Sequence, residues 1–381
     1  MQKKIIALAL ASMATTASFA QTNVTIYGVA DMGVANIRGS HNQTATQVIS
    51  NGLTTSRIGF KGVEDLGNGL KALFVLEYRL DIDKNTGIGG AYDREQAPTG
   101  AAGTLSSPSG PARQQMVGLT GGFGTAVAGR LQTTAFDWMV KYVTLTTTAF
   151  DAHGAVVART GARVQAGGDV RGSNAVAYIS PSFGGVTVAL NHAQAVEQTA
   201  GAAEGSAADG SRGATLAGIY YDNGPASVGF VAERLAGNGS FESFRRNDYA
   251  LGASYDFGFA KLNATYQLTD NKLGVGVAGN RDAVWHIGAG IPVSAKGKVS
   301  VAYAQNNIKS TAAGDNSRAA SVAYVHDLSK RTAVYAGYGW ADGGQLNGAG
   351  ANIGSTIAPT GTVANLGGST HTIAAGVRHM F

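Results

Sequence analysis

The chain has no cysteine in its 381 residues. Disulfides are excluded, so an exported protein of this size must be stable by other means. Charged side chains are sparse at 14%, mean hydropathy is +0.00, and proline occurs only seven times. No uninterrupted apolar stretch approaches the ~20 residues of a membrane helix. Net charge is also small. The full chain carries +5, and +3 remains once Lys3 and Lys4 are set aside. That is too little to argue for a nucleic-acid partner.

Lys3 and Lys4 belong to the opening MQKKIIALALASMATTASFA. A basic start, a short apolar run from Ile5 to Ala11, and the small residues Ser18 and Ala20 predict a signal peptide over 1–20, cleaved after Ala20. What remains, 21–381, is expected to be one β-barrel domain. A barrel conceals its membrane signal, because only every second residue faces lipid.

Alternation runs through the chain. In LKALFVLEYRL, Leu70, Ala72, Phe74, Leu76, Tyr78 and Leu80 share one face, opposite Lys71, Leu73, Val75, Glu77 and Arg79. In DYALGASYDF, Tyr249, Leu251, Ala253, Tyr255 and Phe257 oppose Asp248, Ala250, Gly252, Ser254 and Asp256. Such period-two runs predict strands with one apolar face. The second faces carry charge, Ser, Thr, Gly and Ala, which suits a wet interior. Turn signals recur at 65–69, 121–124, 182–185, 222–225, 256–259, 293–298 and 327–331. Each predicts a hairpin. With a first strand at 24–34 and a last at 371–381, the expectation is sixteen strands. The remaining connections, at 39–52, 84–112, 133–170, 196–212, 237–245, 272–280, 309–317 and 342–369, are longer. Short turns at one end and long loops at the other predict an antiparallel transmembrane barrel with its short turns in the periplasm.

The closing GVRHMF ends on Phe381. On the last strand it shares a face with Ile373, Ala375, Val377 and His379, which places it at a membrane–water interface. Tyr78, Tyr255, Tyr338 and Trp340 are further girdle candidates by parity.

Four segments in order, SRIGFKGVEDLGNGLKALFVLE (56–77), RQQMVGLTGGFGTAVAGR (113–130), RGSNAVAYISPSFGGV (171–186) and the closing GVRHMF, resemble the Gram-negative general porins, above all their beta-proteobacterial branch. VTIYGVADMGV is similar to that branch's first strand. The resemblance implies a sixteen-stranded homotrimer in the outer membrane, passing ions and small hydrophilic solutes by diffusion. It implies that the terminal aromatic is read by the outer-membrane assembly machinery. It also implies that the third long loop, here 133–170, folds into the barrel and narrows it. The middle of that loop, MVKYVTLTTTAF, is apolar enough to pack on the inner wall.

In that family, wall arginines face loop acids. Arg57, Arg130 and Arg171 match the wall positions. Parity turns Arg57 inward, opposite Ile58 and Phe60. It turns Arg171 inward if Val176 and Tyr178 face lipid. It disagrees for Arg130, which falls on the face of Ala126 and Ala128. Either the strand is bulged or ending there, or Arg130 lies at a subunit contact. Parity adds Glu77, Arg79, Lys61 and Lys71 to the inner face. From the loop, Asp137 and Asp151 are chosen as counter-charges over Asp169, with Lys141, Arg159 and Arg163 nearby. This balance implies a mild anion preference, since a ring of fixed charge sets ion selectivity.

Enzymatic signals do not assemble. GVGVAG (274–279) fits G-x-G-x-x-G but lies between β runs, without the βαβ unit a dinucleotide needs. The seven histidines show no metal spacing, and no G-x-S-x-G occurs. No cofactor is expected. A substrate-selective channel would show an aromatic ladder or a track of one sign. A secreted β adhesin would stay soluble without detergent and would not need Phe381.

Overall fold

The computed structural model describes residues 23–39, 44–83, 88, 112–157, 171–195, 212–237, 245–272, 280–307, 316–342 and 369–381. The predicted signal peptide, GVGVAG, Arg159, Arg163 and Asp169 lie outside them. Seventeen strands among the described residues form one antiparallel sheet. They are β1 (Asn23–Gly39), β2 (Thr44–Ser50), β3 (Arg57–Gly67), β4 (Leu70–Arg79), β5 (Ala112–Gly121), β6 (Gly124–Gln132), β7 (Arg171–Ile179), β8 (Val186–Ala195) and β9 (Arg212–Asn223). Then follow β10 (Ala226–Gly237), β11 (Arg245–Asp256), β12 (Lys261–Lys272), β13 (Asn280–Pro292), β14 (Gly297–Asn307), β15 (Arg318–Asp327), β16 (Thr332–Asp342) and β17 (Ser369–Met380). Apart from β2 and β3, consecutive strands pair with one another, and β17 returns to β1, from Val29 opposite Met380 to Gly39 opposite Thr370. The sheet thereby closes on itself, so its first and last strands are not open edges.

β2 and β3 both pair with β1, on successive lengths of it. They are two halves of one stave, so the barrel has sixteen. The expected connection 39–52 is thereby corrected: most of it is strand. TATQVIS alternates, with Thr44, Thr46 and Val48 exposed and Ile49 buried, but its Thr and Gln look like loop residues. The stave breaks at 51–56, where the chain folds inward. Asp31, fully buried, holds that break. Its carboxylate accepts from the backbone N–H of Gly52 (3.1 Å), Leu53 (2.9 Å) and Thr54 (2.7 Å), and from the Tyr335 hydroxyl (2.8 Å).

All seven turn signals join consecutive strands. At 67–69 the chain passes through Gly67, Asn68 and Gly69 with φ of +86°, +51° and +78°. Only glycine and asparagine enter that left-handed region readily. Asp65 Oδ1 accepts from the Gly67 N–H at 2.8 Å and tightens the turn.

The long third loop contains two helices, α1 (Thr134–Tyr142) and α2 (Ala152–Val157). Thr133 caps α1, its Oγ1 accepting from the Phe136 N–H at 3.2 Å. Ala135, Trp138, Met139 and Tyr142 fall on one face by the 3.6-residue period and are fully buried. They pack on the inner wall of β8 to β11, against Ala189, Leu216, Val231, Leu235 and Ala250. α2 packs on β13 to β16, against Val284, Ala302, Ala304, Ala319 and Ala341. Phe150 packs near the barrel's closure, with Ile37, Ile49 and Tyr335. The loop thus runs inside the barrel along roughly half its circumference.

Small inward residues serve this loop more than they serve water, which corrects the wet-interior expectation for that half of the wall. A Cβ at Gly252 would lie 2.5 Å from the Tyr142 ring, one at Gly229 2.7 Å from it, and one at Gly218 2.6 Å from Thr134, while one at Gly288 would run into Thr144. Glycine within a strand often marks such a close approach.

Candidate functional site

The wall left uncovered by the loop, β3 to β7, carries the charge. Cross-strand register sets Arg57 opposite Arg79, a repulsive pair unless acids intervene. Two acids do. Glu77 Oε2 lies 3.6 Å from Arg57 Nε. Arg79 Nε donates to Asp81 Oδ1 at 2.7 Å, and Asn51 Nδ2 donates to the same oxygen at 3.2 Å. The Arg57 and Arg79 side chains remain about a quarter exposed. Glu77 is buried and saturated. It also accepts from Arg113 Nε at 2.6 Å and from the Tyr27 hydroxyl at 3.0 Å.

Arg113 was not among the residues expected here. By parity it shares the outward face of Gln115, Val117 and Leu119. The register shifts between Glu77, opposite Gln114, and Tyr78, opposite Ala112. That bulge makes Arg113 the extra residue and turns it to Glu77. A bulge re-aims a side chain in this way, and alternation alone carries no sign of it.

A second irregularity settles the alternatives for Arg130. The pairing of β6 with β7 shifts between Gly129 and Leu131, and Gly129 has φ +132°. Arg130 Nε donates to the Ala112 carbonyl at 2.5 Å, and Nη1 donates to Ser173 Oγ at 2.7 Å. Arg171 lies over the Phe136 ring at 5.3 Å, near enough to Arg113, Arg130, Arg57 and Glu77 to interact with each electrostatically. Lys61 sits over the Tyr27 ring at 5.3 Å. Lys71 is half-buried lower on the same wall.

The loop acids divide. Asp137, on α1, accepts from Gln132 Nε2 at 2.8 Å and feels the Arg171 charge. Part of its surface is accessible, but protein atoms crowd the carboxylate. Desolvation pushes its pKa up to about 7, with the Gln132 hydrogen bond and Arg171 opposing. Asp151 is not a pore residue, which corrects its assignment. It is fully buried and caps α2, accepting from the Gly154 N–H at 2.8 Å and the Thr147 N–H at 2.9 Å. Its charge is spent on loop structure.

Replacing Glu77 with leucine strands Arg113, whose side chain is only 10% exposed. Losing one partner of a buried pair costs about 3–5 kcal/mol, so the variant will unfold at a distinctly lower temperature in gel-shift assays of heat modifiability. A variant as stable as the parent would contradict the pairing. For Asp137, the carboxylate is neutral below pH 7 and negative above it. Positive charge at the constriction therefore falls as pH rises from about 6 to about 8, around the raised pKa, and any anion preference falls with it. Asp137→Asn will flatten that slope; a slope of the same size in the variant would place its origin elsewhere.

The site has no catalytic arrangement among the described residues, and no group of three or more metal-ligating side chains occurs among them. It is a set of fixed charges beside a lumen narrowed by a loop. Comparison with known proteins agrees with this arrangement. The Gram-negative porin family matches residues 7–346. Outer membrane porin protein 32 of Delftia acidovorans is 32% identical over 341 residues, covering 88% of each chain. An outer membrane porin protein of Bordetella pertussis is 28% identical over 384 residues, covering 88% of this chain and 93% of its own. Among solved structures, an anion-selective porin from Comamonas acidovorans superposes with a TM-score of 0.70 and 26% identity, covering 95% of this chain and 100% of its own. OmpF of Salmonella typhi, at 15% identity and a TM-score of 0.64, covers 94% of this chain and 98% of its own and shares the fold. The chain belongs to the Gram-negative porin family and forms a water-filled channel of the outer membrane for passive diffusion.

Proposed function

We propose that this channel is a homotrimeric, mildly anion-preferring diffusion pore, and that Arg57, Arg79, Arg113, Arg130 and Arg171 set the preference against Glu77, Asp81 and Asp137. The carrying observation is the imbalance on the uncovered wall: two acids, Glu77 and Asp81, engage three arginines, Arg57, Arg113 and Arg79, and burial raises the pKa of Asp137 to about 7, which weakens it as a counter-charge. The related porin from Comamonas acidovorans is anion-selective, which supports the same sign. The chain carries no enzymatic activity in this reading.

The trimer reading rests on the outer face. Between β11 and β16 that face presents Tyr249, Tyr266, Trp285, Tyr324 and Tyr338, each exposed by more than a third. Such rings belong at membrane interfaces. Between β5 and β8 no described strand residue presents a tyrosine, tryptophan or phenylalanine ring exposed to that extent; the face mixes Val117, Leu119, Val176 and Leu190 with Gln115, His192 and Gln194, and a surface without the aromatic belt suits a subunit contact. Current through single channels in a planar bilayer tests both parts. Closure in three equal steps, with a zero-current potential of the chloride sign under a KCl gradient, is expected. Steps of potassium sign would remove the arginine assignment, and single-step closure would remove the trimer.

We also assign Phe381 to assembly. Its N–H donates to the Gly28 carbonyl at 3.1 Å and its carbonyl accepts from the Gly28 N–H at 3.0 Å. Its ring occupies the space a side chain at Gly28 would need. Deleting Phe381 will lower the folded fraction in outer-membrane preparations several-fold; an unchanged fraction would leave it without that role. Cleavage of residues 1–20 by signal peptidase belongs to the same export route, and amino-terminal sequencing of the mature protein checks it.

A further inference from the structure

Asp31 stands in the gap between the lengths of β1 that pair with β3 (Asn23–Val29) and with β2 (Met32–Arg38). It is fully buried, and all four donors on its two oxygens are uncharged. Oδ1 takes the Gly52 N–H and the Tyr335 hydroxyl, and Oδ2 takes the N–H groups of Leu53 and Thr54. A buried carboxyl costs free energy unless hydrogen bonds replace its water, and three of the four bonds here come from one stretch of backbone. The backbone of Asp31 holds the ends of that stretch. Its carbonyl accepts from the Asn51 N–H at 3.0 Å. Ser56 Oγ donates to the same carbonyl at 3.1 Å and accepts from the Asp31 N–H at 2.9 Å. Segment 51–56 is thus clamped to one residue along its whole length. The Tyr335 hydroxyl is fixed as well, since it occupies the space that a Cβ at Gly52 or Gly376 would need.

The clamped segment touches both parts of the constriction. Toward the loop, the Gly52 carbonyl accepts from the Ala149 N–H at 2.8 Å, and Leu53 packs in the cluster that buries Phe150, at the junction between α1 and α2. Toward the charged wall, Asn51 Nδ2 donates at 3.2 Å to Asp81 Oδ1, the oxygen that also holds Arg79. The Ser56 carbonyl accepts from the Leu80 N–H at 2.9 Å. Asn51 has φ +73°, a left-handed conformation that asparagine tolerates, and its Oδ1 accepts from the Ser56 N–H at 2.5 Å.

We propose that Asp31 is a positioning residue of the pore: through segment 51–56 it fixes the α1–α2 junction and the Arg79–Asp81 pair together, so that one carboxylate sets both channel width and ion preference, the second of which rests on the arginine assignment. An amide cannot take its place. Asparagine keeps one acceptor oxygen and puts an NH2 donor at the other position, facing groups that need an acceptor. The ladders of β1 with β2, β3 and β17 use backbone groups only. The barrel therefore survives the change while the segment loosens, and the loop junction and the wall pair lose their common anchor.

Single-channel recording of the full-length protein under a KCl gradient reads both consequences. Asp31→Asn will add conductance sub-levels and raise open-channel noise several-fold, because the loop junction is no longer held. It will also move the zero-current potential toward zero by roughly half, since one of the two exposed wall arginines loses its fixed place. Two further variants cut one connection each. Phe150→Ala will bring the sub-levels with little change in potential. Asn51→Gly, which accepts the left-handed backbone but removes the side-chain amide, will move the potential with few sub-levels. Tyr335→Phe removes one donor of the four, will show both changes at smaller size, and serves if Asp31→Asn fails to fold. A folded Asp31→Asn channel with the noise and potential of the parent overturns the proposal, and so does a change in only one of the two readouts. Lower heat stability with an unchanged channel would make Asp31 a residue of the fold alone and also overturns it. A parent channel of potassium sign would remove the arginine assignment but not this one, because the test reads the shift between parent and variant.

Discussion

Replacing Arg57 and Arg79 together with glutamate will reverse the zero-current potential of the channel under a KCl gradient, from the chloride sign to the potassium sign. Both side chains are about a quarter exposed, so the change alters a wetted surface rather than a core. Five arginines face Glu77, Asp81 and Asp137, whose pKa burial raises to about 7, a modest positive excess. Two reversals of sign remove four charges, more than that excess. Low-dielectric walls focus the field of the remaining acids into the lumen. The effect should weaken in high salt, where the Debye length shortens to ~3 Å at 1 M. Arg130→Gln provides a contrast. Its guanidinium is engaged by the Ala112 carbonyl and Ser173, so its loss should move the potential less than the loss of Arg57. A double variant that folds, conducts and keeps the chloride sign would mean that selectivity is set away from this wall.

The barrel was legible because the pattern that specifies it is local. Each of the seven turns carries its own Gly, Asn, Asp or Ser signal, and period two on either side is a property of the strand itself. Thr44–Ser50 escaped because its exposed threonines and glutamine resemble a connection. What identifies it as strand is pairing with β1, which is a tertiary fact. The site was legible wherever parity held: Arg57, Glu77 and Arg79 alternate correctly and line one wall. It failed at the bulges. Arg113 is turned inward by a register shift with no residue signature, and Arg130 lies beside another. Asp151 failed for a different reason. An acid just before a small-residue run can be a pore charge or a helix cap, and only the fold of the loop decides. Here the amides of Thr147 and Gly154 converge on it.

Gly252→Leu will roughly halve single-channel conductance, since pore width sets passage through such a channel. The seating of the loop, not the charge of the wall, fixes that width. Tyr142 is fully buried on the inner wall, its ring lying against Gly252 and Gly229 and its hydroxyl 2.8 Å from Ser227 Oγ. One turn earlier, Trp138 Nε1 donates to the Gly229 carbonyl at 3.0 Å. An aromatic face can reach a strand this closely only where no Cβ stands in between. A leucine at 252 would put its Cβ 2.5 Å from the Tyr142 ring, and a strand in a closed barrel cannot retreat, so α1 must move toward the lumen. Overpacking of this kind costs about 1–3 kcal/mol, too little to unfold the barrel but enough to unseat a helix. Gly290→Ala is the control: it is an inner-wall glycine whose nearest neighbour, Lys298 Cδ, is 3.7 Å away, and conductance should not change. Adding Tyr142→Ala to Gly252→Leu vacates the contested volume. Conductance should then recover toward that of Tyr142→Ala alone, a non-additivity expected of groups in direct contact. Strict additivity, or a Gly252→Leu channel of full conductance, would mean that the glycines do not seat the loop.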